Sequence, residues 1–344
     1  MTKIDIISGF LGAGKTTLIK KLLSEAFKGQ QVVLIENEFG EIGIDGGFLK
    51  EAGIQIREMN SGCICCSLVG DFGASLKEVI GTYHPDRIII EPSGVGKLSD
   101  VIRAVEDVKE DCDLELNSFT TVADVTKCKM YLRNFGEFFK NQLEYANTII
   151  LSRMDKAFQE KTDKAVELIR EINRDASLIT TPITQLDGGK ILEVMEKRTQ
   201  SIEEMELPHE HGHHHEHEHH HDGECSCGHD HHHDGECSCG HDHHHEHGHH
   251  HADEVFTSWG RETARKFERT ELEKMLEMLG DGETFGMVLR AKGILEGTDG
   301  AWYYFDMVPG EAEIRTGEAD YTGRLCVIGS GLKEEELEKL FGLA

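Results

Sequence analysis

Basic residues are scarce in this 344-residue chain. Lys and Arg number 36 against 64 Asp and Glu, a formal charge of −28 with His neutral. That balance argues against nucleic acid or an anionic membrane surface as a partner, and points to cations as clients. Long apolar runs are missing too. No stretch reaches the roughly 18 apolar residues of a membrane-spanning helix, so none is expected. The opening residues, Met1-Thr2-Lys3-Ile4-Asp5, read straight into a strand rather than into a secretory leader, and the expected location is cytoplasmic. In that reducing compartment ten cysteines suggest metal or redox chemistry rather than disulfides. Aromatics are only 7% of the chain, yet hydrophobic residues still reach 38%, enough for cores of ordinary size. The length suggests about two domains, at roughly 100–200 residues each.

Histidine is nearly absent from most of the sequence, and its distribution is the first positive signal. Of 22 histidines, 21 lie within 209–251 and only His84 lies elsewhere. The same 43 residues hold four cysteines and ten acids, with no Lys or Arg. A twelve-residue unit, D-G-E-C-S-C-G-H-D-H-H-H, runs over 222–233 and repeats identically over 234–245. Such a segment has almost nothing with which to build a core, so it reads as a connector. An ordinary linker is rich in Gly, Ser and Pro, whereas this one is nearly all ligand atoms. Candidate ligands include His213, His214, His215, Cys225, Cys227, His231, His232, His233, Cys237, Cys239, His243, His244 and His245. Imidazole and thiolate suit zinc, nickel, cobalt and copper, and the acids raise the local cation concentration. The 25 His and Cys side chains would fill at most about six four-ligand sites.

The first 200 residues alternate strand and helix. Strands are predicted over 4–8, 31–36, 87–91, 118–124, 148–152 and 178–183, with helices over 16–27, 127–145 and 159–173. Alternation of this kind means βαβ units, and hence an α/β domain with a mostly parallel sheet. The first strand runs into Gly9-Phe10-Leu11-Gly12-Ala13-Gly14-Lys15-Thr16-Thr17, which matches G-x-x-x-x-G-K-[ST]. Glycines let the backbone N–H groups of Gly9 to Thr17 curl around phosphates, and the helix N-terminus adds its positive dipole. Lys15 would reach the β- and γ-phosphates, and the Thr16 hydroxyl would bind Mg²⁺. This part is therefore expected to be a P-loop NTPase.

Three further segments fall between this loop and the middle of the domain. Glu36, Glu38, Glu41 and Asp45 follow the second strand. They serve either Mg²⁺ or a second metal, or form a solvated acidic loop. Glu91 ends the strand RIIIE, where a P-loop NTPase keeps the acid that positions Mg²⁺ or its water. Gly94, just beyond, is placed to offer its N–H to a γ-phosphate. Between these lies Gly62-Cys63-Ile64-Cys65-Cys66, three thiols within four residues. Thiolates so clustered would bind Zn²⁺ or another thiophilic ion, with a fourth ligand from elsewhere. Buried structural cysteines or a redox pair are the competing readings. Cys112, Cys128 and Cys326 stand alone and are expected to be packing residues.

GFLGAGKTT, ENEFGEIGID, GCICC and EPSG, in that order, resemble the CobW family of metal-chaperone GTPases. The resemblance covers nearly the whole chain, and implies a GTPase domain over 1–200, a metal-binding connector over 201–254 and a smaller C-terminal domain over 255–344. It implies GTP, Mg²⁺ and Zn²⁺, with Co²⁺ or Ni²⁺ as alternatives, and a client metalloprotein as partner. Carried over by position, Cys63, Cys65 and Cys66 form the internal metal site with Glu36 and Glu41 as nearby carboxylates. Lys15, Thr16 and Glu91 serve hydrolysis, and Gly9, Gly12, Ala13, Gly14, Thr17 and Gly94 cradle the nucleotide. The family's guanine-reading N-K-x-D appears here as Ser152-Arg153-Met154-Asp155. Asp155, the paired acceptor for the base, is retained, and Arg153 replaces the lysine whose stem covers the ring.

The C-terminal part reads as α+β with an antiparallel sheet. Helices are expected over 270–279 and 333–341, and strands over 285–291, 301–308 and 324–329. The resulting expectation is a GTP-hydrolysing metallochaperone whose thiol site responds to the γ-phosphate, with the His-rich connector collecting or storing metal. Intrinsic hydrolysis should be slow, because no arginine lies in 36–45 or 91–96. Passive metal storage, a P-loop transferase and a nickel-insertion GTPase of the hydrogenase or urease maturation type share some of these features.

Overall fold

A computed structural model of the chain describes residues 1–37, 55–59, 69–109, 111–197 and 252–343. The elements run β1 (Thr2–Gly9), α1 (Lys15–Glu25), β2 (Val32–Asn37), β3 (Gln55–Met59), α2 (Val69–Tyr83), β4 (Arg87–Glu91), α3 (Leu98–Lys109) and β5 (Leu114–Asp124). Then follow α4 (Cys128–Glu144), β6 (Thr148–Ser152), α5 (Gln159–Ile172), β7 (Ser177–Ile179) and α6 (Gly188–Glu196). The C-terminal part adds α7 (Ala252–Val255), β8 (Thr257–Thr263), α8 (Arg269–Met278), α9 (Gly282–Phe285), β9 (Met287–Glu296), β10 (Trp302–Val308), β11 (Glu311–Gly317), β12 (Gly323–Ser330) and α10 (Glu334–Phe341).

Seven parallel strands form the first sheet, in the order β3-β2-β4-β1-β5-β6-β7. β4 and β6 carry unbroken apolar runs, Ile88 to Ile90 and Ile149 to Leu151, because helices cover both faces of the sheet. Ile4, Ile6, Ile88 and Ile90 pack beneath α2, α3 and α4 on one side. Ile7 and Ile89 meet Leu18, Ile19 and Leu22 of α1 and Ile191 of α6 on the other. The α/β class and mostly parallel sheet expected from the alternation are what the structure has. No helix among the described residues is long and apolar enough to cross a membrane.

The N-terminal edge of this sheet is tied by buried charge. A register shift between Ile4 and Asp5 leaves Asn117 as the extra residue of β5. Asn117 Nδ2 and Ser118 Oγ both donate to Asp5 Oδ1, at 2.7 and 2.6 Å, as a bulge allows. Arg87 pairs with Asp5 through Nη1 and with Glu196 Oε1 through Nη2 at 2.8 Å. Lys3 joins Glu196 at 3.1 Å, so the last turn of α6 is fastened to three strands.

The second sheet is antiparallel, in the order β11-β10-β9-β12-β8, as the α+β expectation required. One face, with Leu325, Val327, Tyr303 and Phe305, packs under α8 and α10. The opposite face, with Leu289, Ile294, Cys326 and Ile328, joins the core that holds α4. Both sheets belong to one compact unit. Phe256, at the start of the C-terminal part, is buried against Phe135 and Phe138, ring centroids 5.1 Å away in each case. Phe10 of the P-loop stands 6.1 Å from it.

Several expected boundaries move: β5 starts at Leu114 rather than 118, β9 runs on to Glu296, and two further shifts have a local cause. The strand expected over 178–183 stops at Ile179, and Ile183–Gln185 forms a 3-10 turn. Pro182 offers no N–H to a sheet ladder and ends it. The strand expected from 285 starts at Met287, because Asp281 caps a short helix ending at Phe285. Gly286 then turns the chain at φ 84°, where a side chain would strike the Gly331 carbonyl.

Candidate nucleotide site

The loop after β1 rises at the C-terminal edge of the sheet, where α/β folds bind their ligands. Gly12 (φ 68°) and Gly14 (φ 104°) take left-handed backbone conformations that let the loop fold back on itself. Ala13 is buried and its N–H donates to the Phe10 carbonyl at 3.1 Å. Lys15 opens α1 and is only 7% exposed, since its ammonium curls inward to donate to the Gly9 carbonyl at 3.0 Å. It also stands 3.9 Å from Glu91 Oε1. The Thr16 hydroxyl donates to Glu91, at 3.2 and 3.4 Å from its two oxygens. A hydroxyl and a carboxylate converging beside a phosphate loop are the hard oxygen donors that Mg²⁺ takes, so the donor set fits that ion.

These groups line a cavity of about 270 Å³. Its inner wall is Gly12, Gly14, Lys15, Thr16, Thr17, Lys20 and Glu91, and its outer wall comes from the second sheet: Arg290, Asp306, Val308, Glu311, Glu313 and Arg315. Gly94 is not part of the described wall. It packs on Leu11 of the P-loop, and Gln142 Nε2 donates to its carbonyl at 3.2 Å. No motif in the sequence marks the outer wall, which comes from far along the chain.

A second cavity of about 370 Å³ shares Gly14, Thr17 and Arg153 with the first, so the two adjoin. Ser152 to Lys156 form one side and Pro182 to Gln185 the other. Asp155 lies there, exposed, in the turn Met154–Lys156. Ser152 Oγ is buried in this wall and meets no protein partner among the described residues. A polar group placed so is one that a ligand would complete. The strand expected over 178–183 runs into this wall and hides it, although Thr-Pro-Ile-Thr after an apolar strand is a loop signal at the sheet's active edge.

Arg153 joins the two cavities. It adopts φ 57°, uncommon for a residue with a Cβ. Its Nη2 donates to the Gly12 carbonyl at 3.3 Å, its Nε lies 3.4 Å from Asp124 Oδ2, and its Nη1 meets Glu311. Lys156 donates to the other oxygen of Glu311 at 2.7 Å. Burial would raise the Glu311 pKa, but Lys156, Arg153 and Lys127 outweigh it and hold the carboxyl below its ordinary value. Burial depresses the Lys127 ammonium nearby, against the pull of Asp124.

Glu36, next to last in β2, is buried and pairs in register with Glu91 of β4 and Glu58 of β3. Glu41, Cys63, Cys65, Cys66 and the His and Cys candidates of 209–251 lie outside the described residues. Among the described residues no three His, Cys, Asp or Glu side chains gather as a metal site. Cys128 is buried, its thiol pushed up to about 12 by burial and by Asp124. Cys326 is buried with Ser258 Oγ 3.2 Å from its sulfur, and Cys112 is half-buried.

The chain is similar to several known proteins. A zinc chaperone, YeiR of Escherichia coli (strain K12), is 29% identical over 188 residues, 55% of this chain and 57% of that protein. The chain thus spans little more than half the length of that relative. Zinc-regulated GTPase metalloprotein activator 1 of Schizosaccharomyces pombe is 27% identical over 321 residues, 89% of this chain and 74% of that protein. Among solved structures, a Zn(II)-bound YjiA GTPase from E. coli aligns with 99% of this chain and 98% of its own, at 22% identity and a TM-score of 0.44. Residues 256–343 match the cobalamin synthesis protein cobW C-terminal domain. Residues 3–180 match the CobW/HypB/UreG nucleotide-binding domain, and the chain belongs to that family.

Proposed function

We propose that the protein is a GTP-hydrolysing metallochaperone, binding Zn²⁺, or Co²⁺ or Ni²⁺ in its place, and passing it to a client metalloprotein. The observation that carries this reading is the meeting of three parallel strands at one edge. Glu36 of β2 stands in register with Glu58 of β3 and with Glu91 of β4. Glu91 touches the P-loop threonine, and the chain that continues beyond β3 carries Cys63, Cys65 and Cys66. A thiolate site with Glu36 or Glu41 beside it would thus be attached to the strands that frame the nucleotide. The names of the relatives, zinc chaperones and a zinc-regulated GTPase metalloprotein activator, support the same assignment.

The residues divide the work by chemistry. Backbone N–H groups from Gly9 to Thr17 and the Lys15 ammonium bind the β- and γ-phosphates. Thr16 and Glu91 hold Mg²⁺, which when bound neutralises charge on the phosphate oxygens. Asp155 accepts from the guanine edge, and Arg153 lays its stem along the ring. Loss of the γ-phosphate alters the segments after β2 and β4, and with them the thiol ligand geometry, releasing the ion. The His-rich connector collects ions for that site; its affinity falls below about pH 6.5 as imidazoles protonate.

Two measurements test this. Lys15→Ala should lower GTP hydrolysis by a factor of about 100 or more; turnover equal to the parent protein would leave only passive storage. With 209–251 deleted, zinc affinity should differ at least tenfold between GTP- and GDP-loaded protein. Equal affinities would end the chaperone reading while leaving an NTPase.

A further inference from the structure

We propose that Glu311, on the C-terminal sheet, is a positioning residue for the nucleobase turn, so that the second domain sets base selectivity in cis. The inference rests on the nucleotide-site reading above and deepens it. Asp155 is exposed and lies within the turn Met154–Lys156, which Arg153 precedes in a left-handed conformation. Such a turn does not hold its aim by burial, since none of its three residues is buried. It is held at both ends by one carboxylate, with Arg153 on one oxygen of Glu311 and Lys156 on the other at 2.7 Å. The remaining anchors of Arg153 are longer, 3.3 Å to Gly12 and 3.4 Å to Asp124.

The hairpin that brings Glu311 is itself fixed against the P-loop. Val308 and Glu311 face each other across the β10–β11 turn. Val308 fills the space where a Gly12 side chain would stand. One end of the hairpin thus meets the phosphate loop while its first outgoing residue holds the base turn. The depressed pKa of Glu311 agrees with a carboxylate that stays charged in this place. Charge-assisted bonds of this geometry fix direction as well as energy, and Asp155 needs direction to accept two bonds from one base edge.

A bare carboxylate near a phosphate site would act otherwise: it would repel GTP and ATP alike. The two effects separate in the ratio of affinities. In the full-length protein, Glu311→Ala should weaken GTP binding about tenfold and lower the GTP-to-ATP affinity ratio by a similar factor. ATP binding, which does not use Asp155, should change little. Glu311→Gln, of the same shape, should fall between. Arg153→Ala combined with Glu311→Ala should lower the ratio by less than the product of the two single effects, because the two side chains share one contact while Lys156 keeps its own to Glu311.

Unchanged affinities in Glu311→Ala would overturn the proposal, as would equal tightening of GTP and ATP. If the alanine variant does not fold, an unaltered ratio in Glu311→Gln overturns it equally. Failure of the parent protein to bind GTP, or binding unaffected by Lys15→Ala, would instead strike the nucleotide-site reading and this inference together.

Discussion

Gly12 is glycine for two separate reasons. Its φ of 68° disfavours any Cβ, and the place that Cβ would take is filled by Val308. Gly12→Ala should therefore cost roughly 1–3 kcal/mol in urea unfolding and weaken nucleotide binding. Adding Val308→Ala should recover the steric part and leave the conformational part, about 1 kcal/mol. Full recovery in the double variant would mean that φ carries no penalty there. The glycine, Lys15 and Thr16 were legible because the P-loop spacing encodes a local turn. Glu91 was legible as the last residue of an apolar strand. Val308 was not, since nothing in Asp306-Met307-Val308 says which loop it will touch some 300 residues away from its own neighbours in sequence space.

At the scale of elements, what could be read depended on periodicity. Buried strands such as Arg87–Glu91 and Thr148–Ser152 agree with expectation to the residue. β11 was missed because Glu-Ala-Glu-Ile-Arg-Thr-Gly has one half-buried residue and six exposed ones, with no apolar alternation to see. It is an edge strand, and its charges guard that edge while one of them holds the base turn. α6 was missed as well; it packs Ile191 and Met195 into the core, and its last turn is held by charge. Burial would raise the Glu196 pKa, but Arg87 and Lys3 outweigh it and hold the carboxyl below its ordinary value. A depressed pKa contributes stability that is complete above the unfolded value of 4.5 and is lost as pH falls through the folded one. Urea midpoints of the parent and of Glu196→Gln should thus differ at about pH 7 and converge as pH falls below 4.5 and through the lowered folded-state pKa. A gap that stays constant with pH would show that the pairing with Arg87 does not depend on charge.

Across the whole molecule, the two sheets share one hydrophobic core, and the aromatic group around Phe256 is its junction. Phe256→Ala should cost about 3–5 kcal/mol, visible as a lower urea midpoint in a single transition. Separate transitions for the two sheets would show that the junction is weaker than its burial implies. The sequence marked both sheets and their classes, through alternation in one half and mixed strands and helices in the other. It did not mark their meeting, because a contact between distant segments leaves no local pattern. None of the motifs read in the sequence falls in the second sheet, yet six of its side chains line the phosphate cavity.

That shared cavity bears on any attempt to study the first half by itself. A fragment ending after α6 would keep every motif by which the nucleotide site is recognised, and would lose Val308 and Glu311. Binding constants obtained from such a fragment would describe a vessel with one side cut away, and its preference among purines would be a property of the cut.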